Sequence, residues 1–181
     1  RQRQMCIRDS TPGVEDLVME ARQGDDGLTT LEYSPYGVIG AITPTTNPTE
    51  TIICNTVGML SAGNTVVFSP HPRARRLSAW LVDVLNRAMI EAGAPENLIT
   101  LIAEPTPATT TALINHPDIT MLVATGGPQI VNMVLSSGKK AIGAGSGNPP
   151  AVVDETADVA KAASDIVQGA SFDNNLPCTA E

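Results

Sequence analysis

A parallel α/β sheet covered by helices on both faces is predicted by three features of the chain. Short apolar runs recur without polar alternation at 38–42, 65–68, 98–102, 119–124, 141–142 and 151–153. Segments of helical spacing alternate with them at 49–60, 75–92, 107–115, 129–137 and 158–168. Glycine or proline punctuates most of the junctions. Strands that read as continuous apolar runs are buried on both faces. Repeated strand–helix units pair such strands in parallel through crossovers.

Each element has its own local reason. The run 38–42 reads as a buried strand, closed by Pro44 and Pro48, which fix φ and remove main-chain donors. The helix 49–60 carries Ile52, Ile53, Thr56, Val57 and Leu60 near helical spacing and stops at Ala62-Gly63-Asn64. The helix 75–92 is the clearest, with Leu77, Trp80, Leu81, Val84, Leu85, Ala88 and Met89 predicted on one apolar face. That periodicity puts Trp80 in the core, and Gly93 is a C-cap residue. The helix at 129–137 follows the turn 125–128, and Asp158 is the predicted N-cap of the last helix, which Gly169 ends. The expected fold class is α/β, a Rossmann-like parallel sheet with helices on both faces. In such sheets ligands bind beyond the carboxyl ends of the strands, so the informative loops are 43–48, 69–73, 125–128 and 143–150.

Composition narrows the function classes. A chain of 181 residues, 42% apolar and 17% charged, suits one domain with a sizeable core. The net charge of −8 leaves no basic patch to neutralise phosphates, which argues against nucleic acid as a partner. No apolar run approaches the roughly 20 residues of a membrane span, and no secretory signal is visible. Cys6, Cys54 and Cys178 have neither metal-ligand spacing nor a disulfide pattern, so no metal is expected and a reducing cytoplasm fits. Residues 1–11 read as a foreign leader or a disordered tail and stand outside the functional argument.

Four constellations could carry chemistry. Gly126 and Gly127 sit at a strand end and a helix start, where main chain can approach an anion such as pyrophosphate; a plain βα turn is the other reading. The stretch Gly143, Gly145 and Gly147 is either a phosphate-approaching loop or a flexible turn, and lacks the lysine of a P-loop. Thr45, Thr46 and Asn47 could donate hydrogen bonds to a developing oxyanion, or could serve local turn geometry. Cys178 lies in a polar, loop-like context beside Asn174, Asn175 and Pro177, which favours an accessible thiol over a buried one. Cys54 falls inside the helix 49–60 and reads as structural; His71 and His116 each flank a proline and read first as loop residues, with His71 able to face a cofactor.

Together these blocks, in order at 36–50, 67–72, 123–127, 143–150 and 171–178, resemble the aldehyde dehydrogenase superfamily. They are most similar to its CoA-acylating branch, the propionaldehyde and acetaldehyde dehydrogenases of propanediol and ethanolamine use. The resemblance implies that Cys178 is the nucleophile. It implies that Thr43, Pro44, Ser69, Pro70, His71, Gly126, Gly127, Ile130 and Gly143 lie against the cofactor. The family's oxyanion asparagine falls in 45–47, where an ungapped reading puts Thr46, with Asn47 beside it. Hydrolytic members carry a general-base glutamate where this chain has a stretch, 143–147, free of carboxylates. The implied acceptor of the acyl group is therefore the CoA thiol and not water. The ribose-binding lysine and glutamate of the hydrolytic enzymes appear as Ser69 and Pro72, leaving NAD, the family default, or NADP.

The implied reaction is oxidation of a short-chain aldehyde to acyl-CoA with NAD, CoA serving as cosubstrate, by a homo-oligomer in the cytoplasm or a bacterial microcompartment. The alternatives are the aldehyde half of a bifunctional aldehyde–alcohol dehydrogenase and a non-catalytic nucleotide-binding module. Residues 12–170 are expected to be an NAD-binding domain incomplete at its N-terminus, and 171–181 the start of a truncated catalytic domain. The 181-residue chain alone is expected to be inactive.

Overall fold

Ahead of the main sheet, β1 (Glu20–Gln23) and β2 (Leu28–Leu31) pair as an antiparallel hairpin whose residues are all exposed. Sequence reasoning missed it, because no apolar alternation marks it. Its signal is the Asp-Gly turn at Asp26-Gly27, where Gly24 N–H donates to Gly27 C=O at 2.9 Å. A computed structural model describes residues 11–175 and 178 of the protein. The leader 1–10, with Cys6, lies outside the described residues.

The remaining elements succeed one another as strand–helix units. They are β3 (Val38–Thr43), α1 (Pro48–Ser61), β4 (Thr65–Pro70), α2 (Arg75–Glu91), β5 (Ile99–Leu101) and α3 (Pro107–Asn115). Then come β6 (Ile119–Thr125), α4 (Pro128–Leu135), β7 (Lys140–Ala144) and α5 (Val159–Ser171). The five strands β5-β4-β3-β6-β7 hydrogen-bond in that order, every pair parallel. The chain steps outward from β3 to β5, then returns past it to build β6 and β7. That reversal leaves a topological switch point between β3 and β6.

The pleat divides the core into two layers. Ala41, Val66, Phe68 and Ile99 face α1 and α2, where Ile52, Leu81 and Val82 complete the packing. Ile42, Leu122 and Ala124 face α3 and α4, meeting Leu113, Ile114 and Val134. Phe68, Ile52, Ile99 and Leu122 are fully buried. Burial of each such side chain is worth roughly 1.5–3 kcal/mol relative to exposure.

Caps hold the elements at the expected places. After α2, Gly93 takes φ +91° and Ala94 N–H donates to Met89 C=O at 2.9 Å, the Schellman bond that only an achiral residue closes without strain. Asp158 caps α5 by accepting Lys161 N–H at 3.1 Å. Asn64, after α1, is 6% exposed; its Oδ1 accepts Tyr36 and Gly37 N–H at 2.7 and 3.0 Å, and its Nδ2 donates to Met59 C=O at 3.1 Å. One side chain thus ties the end of α1 to the entry of β3. Asn64→Ala strands two main-chain donors and is expected to cost about 2–3 kcal/mol in chemical denaturation.

Three expectations are corrected. Trp80 is 59% exposed and not core, as is Leu77 at 46%. The buried stripe of α2 is centred on Ser78, Leu81 and Val82, because the small Ser78 is the residue that fits at the fully buried position. Residues 151–153 form no strand: β7 is the last strand of the sheet, and Val152 is 90% exposed with no neighbouring strand to complete a ladder. Gly169 does not end α5, which continues to Ser171; the Gly169 C=O accepts the capping N–H of Phe172. Elsewhere the boundaries move by one or two residues, as where β4 extends to Pro70, a strand end that tolerates a missing N–H.

In the loop before α5, Asp154 accepts the Thr156 hydroxyl at 2.7 Å and its N–H at 2.8 Å, and these bonds hold its carboxyl below the ordinary range. No helix among the described residues is long and apolar enough to cross a membrane.

Candidate active site

The carboxyl ends of β3, β4 and β6 open into a cleft of about 450 Å³. It is lined at the switch point by Thr43 and Pro44 from β3, Ser69 to Pro72 from β4, and Thr125 to Gly127 from β6. Ile130 and Met133 of α4 close one side. This volume lies within the ordinary range for a small-molecule site.

The polar groups around this cleft are few and placed for a ligand. Thr43 is 2% exposed, and its hydroxyl finds no hydrogen-bond partner among the described residues. A buried hydroxyl left so is costly unless a ligand completes it. Ser69, equally buried, shares a 3.3 Å bond with Thr110 at the start of α3. The turn into α4 runs through Gly127, its N-cap, to Pro128. It leaves the first-turn N–H groups of Gln129 and Ile130 without intrahelical acceptors. An anion there is favoured by those donors and by the helix dipole.

A second cleft of about 390 Å³ adjoins the first. Pro44, His71, Thr125, Gly126 and Gly127 line both. Its other walls are Thr45, Thr46 and Asn47 from the β3–α1 loop, Gly145, Ser146 and Gly147 beyond β7, and Asn175 and Cys178. Cys178 is exposed and free. The chain reaches it through Asp173, Asn174 and Asn175, all in the left-handed region at φ 48°, 53° and 60°. Asn and Asp are the side chains that tolerate this conformation best, which explains the composition of the turn. Gly147 lies directly against the cysteine: a Cβ there would stand 1.9 Å from the Cys178 carbonyl oxygen.

Of the twelve residues that the sequence predicts for the site, the structure gathers eleven. Thr43, Pro44, Ser69, Pro70, His71, Gly126, Gly127 and Ile130 line the first cleft; Thr46, Asn47 and Cys178 line the second. Gly143 stands apart: it lies within β7, and lines neither cleft. A Cβ on it would come 2.7 Å from Val131 of α4, so close helix–sheet packing is the physical reason for that glycine. His71 Nδ1 accepts Arg73 N–H at 3.2 Å, capping the short turn Pro72–Ala74. Cys54 belongs to α1 and accepts the Thr11 hydroxyl at 3.1 Å, away from both clefts. His116 likewise lines neither of these clefts; its Nδ1 accepts Asp118 N–H at 3.3 Å. Sequence reasoning missed Thr106 and Thr110; the signal was the capping box formed by Thr106 and Thr109 at a helix start.

Among the described residues lining the two clefts, none is Asp or Glu. A thiol, hydroxyls, an amide and main-chain donors are therefore what this site brings to a reacting group. That set suits a nucleophile with an oxyanion site, without a carboxylate to activate water.

Comparison with known proteins agrees with this geometry. Residues 9–181 match the family model described as the aldehyde dehydrogenase family. The chain is 55% identical over 173 residues to a CoA-propanoylating propanal dehydrogenase of Salmonella typhimurium, covering 96% of this chain and 37% of that protein. It is 48% identical over 172 residues to an acetylating acetaldehyde dehydrogenase of the same organism, at 94% and 37% coverage. Its fold matches the crystal structure of Rhodopseudomonas palustris propionaldehyde dehydrogenase with bound CoA and an acylated cysteine. That match has a TM-score of 0.89 and 62% identity over 98% of this chain and 41% of the other. The chain thus spans well under half the length of these relatives. With a parallel sheet, a switch-point cleft and a family model matched from residue 9 onward, the chain belongs to the aldehyde dehydrogenase family.

Proposed function

We propose that the complete protein oxidises a short-chain aldehyde to the corresponding acyl-CoA, with Cys178 as the nucleophile. The observation that carries this reading is the second cleft, where an exposed thiol faces amide and hydroxyl donors and no carboxylate. The similarity to CoA-propanoylating and acetylating enzymes supports propionaldehyde or acetaldehyde as substrate.

A nicotinamide dinucleotide fits the first cleft. The orphaned Thr43 hydroxyl, the Gly126–Gly127 main chain and the N-terminus of α4 would hold it, Ser69, Pro70 and His71 bordering its ribose side. Bound there, the dinucleotide supplies the hydride acceptor. NAD is the proposed form, and the absence of an acidic residue on the cleft lining admits NADP.

The chain's own groups do the rest. Cys178 Sγ adds to the aldehyde carbon; a C–S bond forms and the carbonyl electron pair moves to oxygen. Main-chain N–H near Cys178 and a donor from Thr46 or Asn47 hold that oxyanion. Collapse of the oxyanion expels hydride and leaves an acyl thioester on Cys178. With no carboxylate on the cleft lining, water is poorly activated, so the thioester persists until the CoA thiolate attacks it. Cys178 then departs as thiolate, and acyl-CoA is released. A homo-oligomer in the cytoplasm or in a bacterial microcompartment is the proposed setting, as for the enzymes of propanediol and ethanolamine use.

The test is direct. The complete protein, mixed with propionaldehyde and NAD but no CoA, should gain one propionyl group on the peptide that contains Cys178. Mass spectrometry that found this peptide unmodified, with NADH nonetheless formed, would exclude Cys178 as the acyl carrier.

A further inference from the structure

Asn47 occupies the N-cap of α1 but does not cap it. Asparagine is favoured at that position because its side-chain oxygen accepts a first-turn N–H. Here Oδ1 accepts the Thr46 hydroxyl instead, at 3.0 Å. The Asn47 carbonyl is fixed separately, taking Thr51 N–H at 3.2 Å and the Thr51 hydroxyl at 2.9 Å. Main chain and side chain are thus held by different partners, and both Thr46 and Asn47 line the Cys178 cleft.

Donor accounting separates the two residues. A threonine hydroxyl has one proton, and that of Thr46 is committed to Asn47 Oδ1. The Asn47 amide keeps both N–H bonds on Nδ2, with no acceptor among the described residues. A hydrogen bond accepted at Oδ1 also polarises the amide and strengthens its N–H groups as donors.

We infer that Asn47 Nδ2 is the side-chain donor to the substrate oxyanion, and that Thr46 is a positioning residue that turns this amide into the Cys178 cleft. The inference rests on Cys178 as nucleophile. It moves the donor one residue past the position that the family pattern indicates, and assigns Thr46 an indirect role.

The experiment is a double-mutant cycle in the complete protein with propionaldehyde, NAD and CoA. Asn47→Ala lowers kcat by about 100-fold to 1,000-fold with little change in KM. Thr46→Val lowers kcat by roughly tenfold in the native background and less than about twofold in the Asn47→Ala background. Thr46→Ser, which keeps the hydroxyl, restores turnover. Alkylation of Cys178 by iodoacetamide, which forms no oxyanion, proceeds at the native rate in every variant. Additive losses, or native kcat in Asn47→Ala, overturn the assignment. So does parallel loss of alkylation and turnover, which would make the pair simple supports of the loop. Failure of the Cys178 reading is separately visible, because Cys178→Ala would then retain turnover.

Discussion

Cys178→Ala in the complete protein is expected to lower acyl-CoA formation by at least about 10⁴-fold, the scale of losses when a covalent nucleophile is removed. The step lost is formation of the C–S bond, for which the cleft has no substitute. The other cysteine among the described residues, Cys54, sits in α1 and lines neither cleft. Dinucleotide affinity should survive, because Cys178 does not line the first cleft. NADH binding followed by fluorescence therefore checks that the variant is folded while turnover is gone. A variant that still formed acyl-CoA at more than a few per cent of the native rate would contradict the proposed chemistry.

Gly147→Ala is expected to lower kcat by about 100-fold, the penalty for displacing a reacting group by roughly 1 Å. The added Cβ would lie 1.9 Å from the Cys178 carbonyl oxygen, 2.6 Å from its carbonyl carbon and 2.8 Å from its Cα. All three are main-chain atoms, so no side-chain rotation relieves the overlap and the cysteine itself must move. Gly145→Ala is the control, since a Cβ there meets nothing within 4 Å. A pre-steady-state burst of NADH separates the outcomes: slowed and diminished in Gly147→Ala, near native in Gly145→Ala. Equal behaviour of the two would mean that the close approach of Gly147 does not position the nucleophile.

The sequence was most informative where local chemistry decides structure. Gly93 after α2 and Asp158 before α5 were legible because a Schellman turn and an N-cap depend on a few adjacent residues. Strand order was not legible, since the return of β6 to the side of β3 is a contact between residues some eighty apart, which no local pattern encodes. Trp80 shows a different limit. Apolar spacing locates a stripe on α2 but not its centre, and the small polar Ser78 holds the buried position. The apolar triplet at 151–153 had strand composition but lacked a neighbouring strand to pair with.

At the site, the residues at strand ends were found because parallel sheets bind ligands there, and eight of the predicted cofactor residues share one cleft. Gly143 shows how a glycine can be read for the wrong reason: its missing side chain serves Val131 of α4 and not a ligand. Thr106, Thr110 and Gly147 were missed because small and hydroxyl side chains carry no chemical signature until folding places them. The choice between Thr46 and Asn47 also lay beyond sequence, since it turns on which hydrogen-bond acceptor takes the threonine proton.

The most direct measurement is the fate of the acyl group. The complete protein is given propionaldehyde and NAD with and without CoA, and NADH, propionyl-CoA and free propionate are quantified together. A cleft with a cysteine nucleophile and no carboxylate to activate water should give sustained NADH formation only with CoA, with propionyl-CoA matching it mole for mole. Sustained turnover without CoA, with propionate as the product, would contradict it.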